Sequence, residues 1–172
     1  MAKGYAGRDV RALIAYCPHC TRPTYFEGLT GLLLPEEHSL TLQVPSVHPG
    51  EDLRFLPPEI APLYDEARRC MSVRAFTATA HLCRKLLINI AVAEGLPPPH
   101  NVKFIEAINY LEQHNIIPRN ARSVLDRIRV IGNAAAHELP QVTEADAHAS
   151  LFLTAATLRN LYDVAAVAKA KP

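Results

Sequence analysis

The sequence predicts a mostly α protein, an antiparallel bundle of four to five helices preceded by a small N-terminal β module. Three observations predict it. From Pro57 onward, apolar residues recur at helical spacing in five segments joined by short connections. Before Pro57 they fall in short alternating runs, punctuated by Pro35, Pro45, Pro49 and Gly50. Between two of those runs lies Cys17-Pro18-His19-Cys20, a spacing that suits a metal knuckle in a β-hairpin.

The β module is expected over residues 1–56 and the bundle over 57–168. Strand character runs from Val10 to Tyr16, through Thr24-Tyr25-Phe26, and from Ser39 to Val44, where Leu40, Leu42 and Val44 alternate. Helix one is expected from Pro58 to Met71, because proline is tolerated in a first turn. Its stripe is Ile60, Leu63, Tyr64, Ala67 and Cys70. Helix two, Val73 to Glu94, carries Phe76, Ala80, Cys83, Leu87 and Ile90 and stops at Gly95 and Pro97-Pro98-Pro99. Helix three, Val102 to Gln113, is expected to start at an Asn101 cap, with Phe104, Ile105, Ile108 and Leu111 inward. Helix four begins near Pro118, with a stripe of Val124, Ile128, Ile131 and Ala135. Helix five begins at Thr143, where Thr143-Glu144-Ala145-Asp146 resembles a capping box with Asp in place of Glu. Its stripe is Ala147, Leu151, Thr154/Ala155, Leu158, Leu161/Tyr162 and Ala165.

The 172 residues suffice for one core plus a small module, and 49% of them are hydrophobic. The net charge of +1 supplies no overall field for nucleic acid, so any such binding needs a local patch. No apolar run reaches the ~18 residues of a membrane span. The start of the chain has no basic stretch leading into an apolar signal core, and a cytoplasmic location is expected. Cys17, Cys20, Cys70 and Cys83 do not form a disulfide framework, since two share a knuckle and two fall inside helices.

Two groups of residues can carry chemistry. The Cys17 and Cys20 thiolates can grip one tetrahedral Zn²⁺, and His38 and His48 are the plausible remaining ligands in the module. A metal-free hairpin is the competing reading. The second group is on helix four. Arg129, Asn133 and His137 are spaced four apart, which on a continuous helix stacks them on one face, with Arg122 and Asp126 upstream. Arg119, Arg122, Arg127 and Arg129 make this helix locally basic, and Arg84 of helix two, with His81 and Lys85, can enlarge the groove. Arg122, Arg129 and Arg84 are the candidate phosphate or nucleic-acid ligands. Arg129, Asn133 and His137 are the candidate catalytic set. His137 would take a 2′-hydroxyl proton while Arg129 stabilises the charged phosphorus centre. The competing reading has Asn133 and His137 tying off a helix end.

Leu56-Pro57-Pro58-Glu59-Ile60, Tyr64-Asp65-Glu66-Ala67 and Ile128-Arg129-Val130-Ile131-Gly132-Asn133-Ala134-Ala135-Ala136-His137 resemble the prokaryotic domain of unknown function 4145 family, over about Leu56 to Val164. Members of that family often carry an N-terminal Cys-Pro-x-Cys ribbon, which Cys17 to Cys20 resembles. The family is similar to the HEPN group of helical bundles, many of which act in phage defence, toxin–antitoxin pairs or RNA processing. The resemblance implies a HEPN-like bundle, a homodimer, and a module that binds a partner protein or RNA. It also implies an alternative, a metal-independent endoribonuclease acting through Arg129, Asn133 and His137. Active HEPN nucleases place the histidine a few residues after the arginine. Here seven residues separate Arg129 from His137, which sets them two turns apart.

Overall fold

The computed structural model describes residues 10–29, 40–47, 49–97, 102–133 and 142–169. The chain divides into two compact units, Met1–His48 and Pro49–Pro172. The first is a three-stranded antiparallel sheet of order β1-β2-β3, from β1 (Val10–Tyr16), β2 (Pro23–Leu29) and β3 (Leu40–Val44). In the β1–β2 hairpin Tyr16 faces Pro23 and Leu13 faces Phe26, and a bulge at Glu27/Gly28 shifts the β2–β3 register.

The second unit is helical. Its elements are α1 (Ala61–Ser72), α2 (Phe76–Ala93), α3 (Phe104–Gln113), α4 (Arg122–Asn133), α5 (Glu144–Leu158) and α6 (Val164–Lys169). A 3₁₀ turn at Arg119–Ala121 leads into α4, and a π-helical turn at Arg159–Asp163 joins α5 to α6. The central helix is α2, which packs against α1, α3, α4 and α5. Among the described residues no helix is long and apolar enough to cross a membrane.

The compact helical unit begins at Pro49, ahead of the change in hydrophobic pattern at Pro57. Hydrogen bonds hold the 49–56 segment to the bundle. Tyr64 Oη donates to the Glu51 carbonyl at 3.0 Å and accepts the Glu51 N–H at 3.1 Å. Arg68 donates through Nε to the Pro49 carbonyl and pairs with Asp52 at 2.6 Å. Asp163 accepts the N–H groups of Arg54 and Phe55.

Three of the helices end in the same way. Each chain turns through a left-handed residue: Arg74 after α1 (φ +63°), Gly95 after α2 (φ +108°) and Asn115 after α3 (φ +57°). The N–H that follows reaches back to the last turn: Ala75 to Cys70, Leu96 to Ala91 and Ile116 to Leu111, each at 2.8–2.9 Å. Arg74 carries none of the usual glycine signal, so sequence spacing ends helix one at Met71 and starts helix two already at Val73. The structure starts α2 at Phe76. Helix α1 also starts later than Pro58, because Pro57 first closes a turn by accepting Ile60 N–H and Ala61 N–H.

The expected inward residues Tyr64, Ala80, Cys83, Leu87, Ile90, Ile108, Leu111, Leu151 and Leu158 are buried. On α4 the stripe differs. Ala121, Leu125 and Ile128 form the core face, and Val124 is only partly covered. The cap of α3 also differs. Its N-cap is Lys103, whose N–H donates to Glu106 Oε2 at 3.2 Å, and Asn101 lies outside the described residues.

The α5 cap forms as expected. Thr143 Oγ1 accepts the Asp146 N–H at 3.2 Å, and Asp146 Oδ2 accepts from the Thr143 N–H at 3.2 Å and from its hydroxyl at 2.6 Å. Arg127 of α4 also pairs with Asp146, tying the two helices together. The Thr143 hydroxyl and backbone, together with the Arg127 guanidinium, hold the Asp146 carboxyl below the ordinary carboxylate value of 3.8. A depressed folded-state pKa contributes stability above the unfolded value, and that stability is lost as pH falls through the folded one. Asp146→Asn is therefore expected to cost about 1 kcal/mol at pH 7 by urea unfolding. The gap to wild type should narrow as the pH drops below about 4.

Candidate functional site

Helix α4 presents one polar row. Arg122, Asp126 and Arg129 fall at i, i+4 and i+7, so all three project from one side while Leu125 and Ile128 enter the core. Asp126 lies between the two arginines, with Oδ2 3.6 Å from Arg122 Nε and Oδ1 3.5 Å from Arg129 Nε. The Arg129 Nε is covered and makes no hydrogen bond among the described residues, so Asp126 meets it as an ion pair only; overall the side chain is 43% exposed. Arg122 continues the row onto α3, where Nη1 donates to Glu112 Oε2 at 2.8 Å and to Asn109 Oδ1 at 3.2 Å.

Arg84 approaches from α2. Its guanidinium lies over the Phe104 ring of α3, 4.5 Å from the centroid, and its Nη1 donates to the Arg129 carbonyl at 3.3 Å. Arg84 thus contacts α3 and α4 at once and fixes the backbone of α4 at Arg129. The helical backbone of α4 runs unbroken from Arg129 to Asn133 despite Gly132, which sets the two positions one turn apart. His137 lies outside the described residues. The structure thus links Arg122 and Arg129 through Asp126 and sets Arg84 against the Arg129 backbone, and each is already engaged. Asp126, Glu112 and Asp146 stand against Arg122, Arg127 and Arg129, so much of the positive charge on this face is met within the fold. His81 and Lys85 are exposed on α2, and His148 on α5. His114 stacks on Tyr110, with ring centroids 4.0 Å apart.

In the sheet unit, Cys17 to Cys20 form the tight turn between β1 and β2. Thr21, at φ +57°, donates its N–H to the Cys17 carbonyl at 2.8 Å, and the Cys17 N–H donates to the Arg22 carbonyl at 3.0 Å. Backbone N–H groups of Cys20 and His19, and the Cys20 thiol, lower the Cys17 thiol from its usual 9.0. Such N–H donors favour a thiolate, the form that ligates metal. Cys83 is the opposite case, since burial raises its thiol to about 12. The knuckle can supply two ligands of a tetrahedral site. His38 and His48 lie outside the described residues, and among the described residues no three metal-ligating side chains gather.

Two features escaped the sequence. An apolar groove of about 320 Å³ runs between the start of α4 and α5, lined by Ile116, Ala121, Val124, Ala149, Leu153 and Ala156 among others. Phe152 stands at its edge and is 72% exposed. An apolar residue off the α5 stripe was its only signal. The second is a polar cleft at Asn109, Glu112, Gln113 and Arg122. Those α3 residues stand at i, i+3 and i+4, but their meeting with Arg122 is a tertiary event.

No curated protein and no solved structure matches the chain. Residues 65–171 match the family model described as a domain of unknown function, DUF4145. The match takes in most of α1 and every later helix, with the whole Arg122–Asn133 row; the sheet unit lies outside it. The chain belongs to the DUF4145 family.

Proposed function

We propose that the helical unit is a HEPN-like interaction module that pairs with a second copy of itself through α4 and α5. The observation that carries this reading is the groove beside Phe152. A large apolar ring at 72% exposure and an apolar groove of about 320 Å³ lie on the same face. Across a two-fold axis, each Phe152 can enter the other copy's groove, which is the self-complementary form of a symmetric dimer. A buried phenyl ring anchors such an interface by removing roughly 150–250 Å² from water. The internal pairing of the α4 arginines points the same way, since a neutralised face suits a protein partner better than a phosphate backbone. Sedimentation at micromolar concentration should report a dimer, and Phe152→Glu should shift it to monomer with its helical content unchanged. A wild-type chain that stays monomeric under those conditions would overturn the reading.

A second reading, endoribonuclease activity, is favoured by one observation: α4 is continuous from Arg129 to Asn133, and Asp126 holds Arg129 in place. Metal-free RNA cleavage by wild type, lost on Arg129→Ala and on His137→Ala, would support it. Equal residual activity in all three proteins rules it out. For the sheet unit, we propose a zinc site built on Cys17 and Cys20, supported by the N–H groups that favour a Cys17 thiolate. Purified protein should then carry about one zinc per chain, falling to background in Cys17→Ser. Metal-free protein with both thiols reduced would exclude it.

A further inference from the structure

The outer side of α3 offers a second site, separate from the α4–α5 groove. Asn109, Glu112 and Gln113 of α3 and Arg122 of α4 line an open cleft of about 470 Å³. The Arg122 guanidinium is fixed by Glu112 Oε2, Asn109 Oδ1 and Asp126. Those bonds use Nη1 and Nε. Among the described residues, Arg122 Nη2, Glu112 Oε1, the Asn109 amide N–H₂ and the Gln113 side-chain amide take no hydrogen bond. The cleft therefore presents a spare carboxylate acceptor beside a spare guanidinium donor, with two amides at the margin.

We propose that this cleft binds a guanine base. Guanine carries two N–H donors, on N1 and N2, next to the O6 acceptor on one edge. Glu112 Oε1 can take one of the two donors and the second lone pair of Oε2, which already accepts from Arg122, can take the other, while Arg122 Nη2 can donate to O6. Adenine and cytosine put an unprotonated ring nitrogen in place of the N1–H, against the carboxylate, and uracil offers only one N–H. Glu112 keeps its Arg122 pair through Oε2 whatever binds, but its side chain is only 19% exposed, so a base that covers Oε1 without donating to it strips that oxygen of water and returns no hydrogen bond, which is the source of discrimination.

The test is calorimetric titration of the full chain with guanosine, adenosine, uridine and cytidine monophosphates. Saturable guanosine monophosphate binding, about tenfold or more tighter than the adenosine and cytidine forms, is expected. Glu112→Gln, with unchanged circular dichroism, should erase that preference. Asn109→Ala, at an exposed position that does not threaten folding, should weaken binding several-fold. The proposal is overturned by no saturable binding at millimolar nucleotide, by equal affinity for all four bases, or by a folded Glu112→Gln that keeps the preference. If Glu112→Gln does not fold, unchanged affinity in Asn109→Ala overturns it. A single-stranded oligonucleotide containing one guanine separates the two sources of the base. Tighter binding than the mononucleotide, with competition by it, identifies a polynucleotide, and weaker binding identifies the free nucleotide.

Discussion

The close packing of α2 against α5 is the interaction on which the rest of the helical unit depends. Both helices meet the core through small residues: Thr79, Ala80 and Cys83 on α2, and Ala147, Ser150, Thr154 and Ala155 on α5, all buried. Burying hydroxyls is costly unless they are bonded. Each buried hydroxyl here donates to a carbonyl one turn back, Thr79 to Ala75, Ser150 to Asp146 and Thr154 to Ser150. The seam is therefore narrow and polar-satisfied at once. It leaves the larger side chains Leu86, Leu87, Ile90, Leu151 and Leu158 to fill the surrounding core.

With α2 and α5 held together, α4 has a restricted place, because it packs against both. Leu125 and Ile128 turn inward, and the Arg122–Asp126–Arg129 row turns outward. Arg84 from α2 bonds the row's backbone at Arg129 and Glu112 and Asn109 from α3 hold Arg122, while beside the row Arg127 pairs with Asp146 of α5. Pairs this exposed contribute little stability each. Their effect is geometric: they hold long side chains in one arrangement and reduce the positive field that the arginine count suggests.

Helical spacing identified much of the core, including Tyr64, Cys83, Leu87, Ile108, Leu151 and Leu158, because an amphipathic stripe is a local property of consecutive residues. It passed over Met71, Leu86, Leu125 and others, because a helix with neighbours on several sides buries more than one stripe. The Thr143–Asp146 cap and the Cys17–Cys20 turn were legible for the same reason, since each is closed by residues within a few positions. A break between α1 and α2 was legible too, but not its turn through Arg74, because a non-glycine residue takes the left-handed conformation only when packing on either side requires it. On α4, Ile128 is buried as expected, but Leu125 takes the deep place next to it and Val124 only flanks the core. Local periodicity tolerates either placement, and only the neighbours of α4 decide it.

By itself the sequence determined a mostly helical unit behind a small antiparallel sheet, its family, and the face of α4 on which Arg122, Asp126 and Arg129 lie, because all of these follow from local spacing and motif. Only the tertiary structure decided what that face is next to. It set Glu112 and Asn109 against Arg122, laid Arg84 across Phe104 to the Arg129 backbone, and opened the groove beside Phe152. These contacts join helices far apart in sequence, and their partners are chosen by how the helices pack around α2, which no local pattern records.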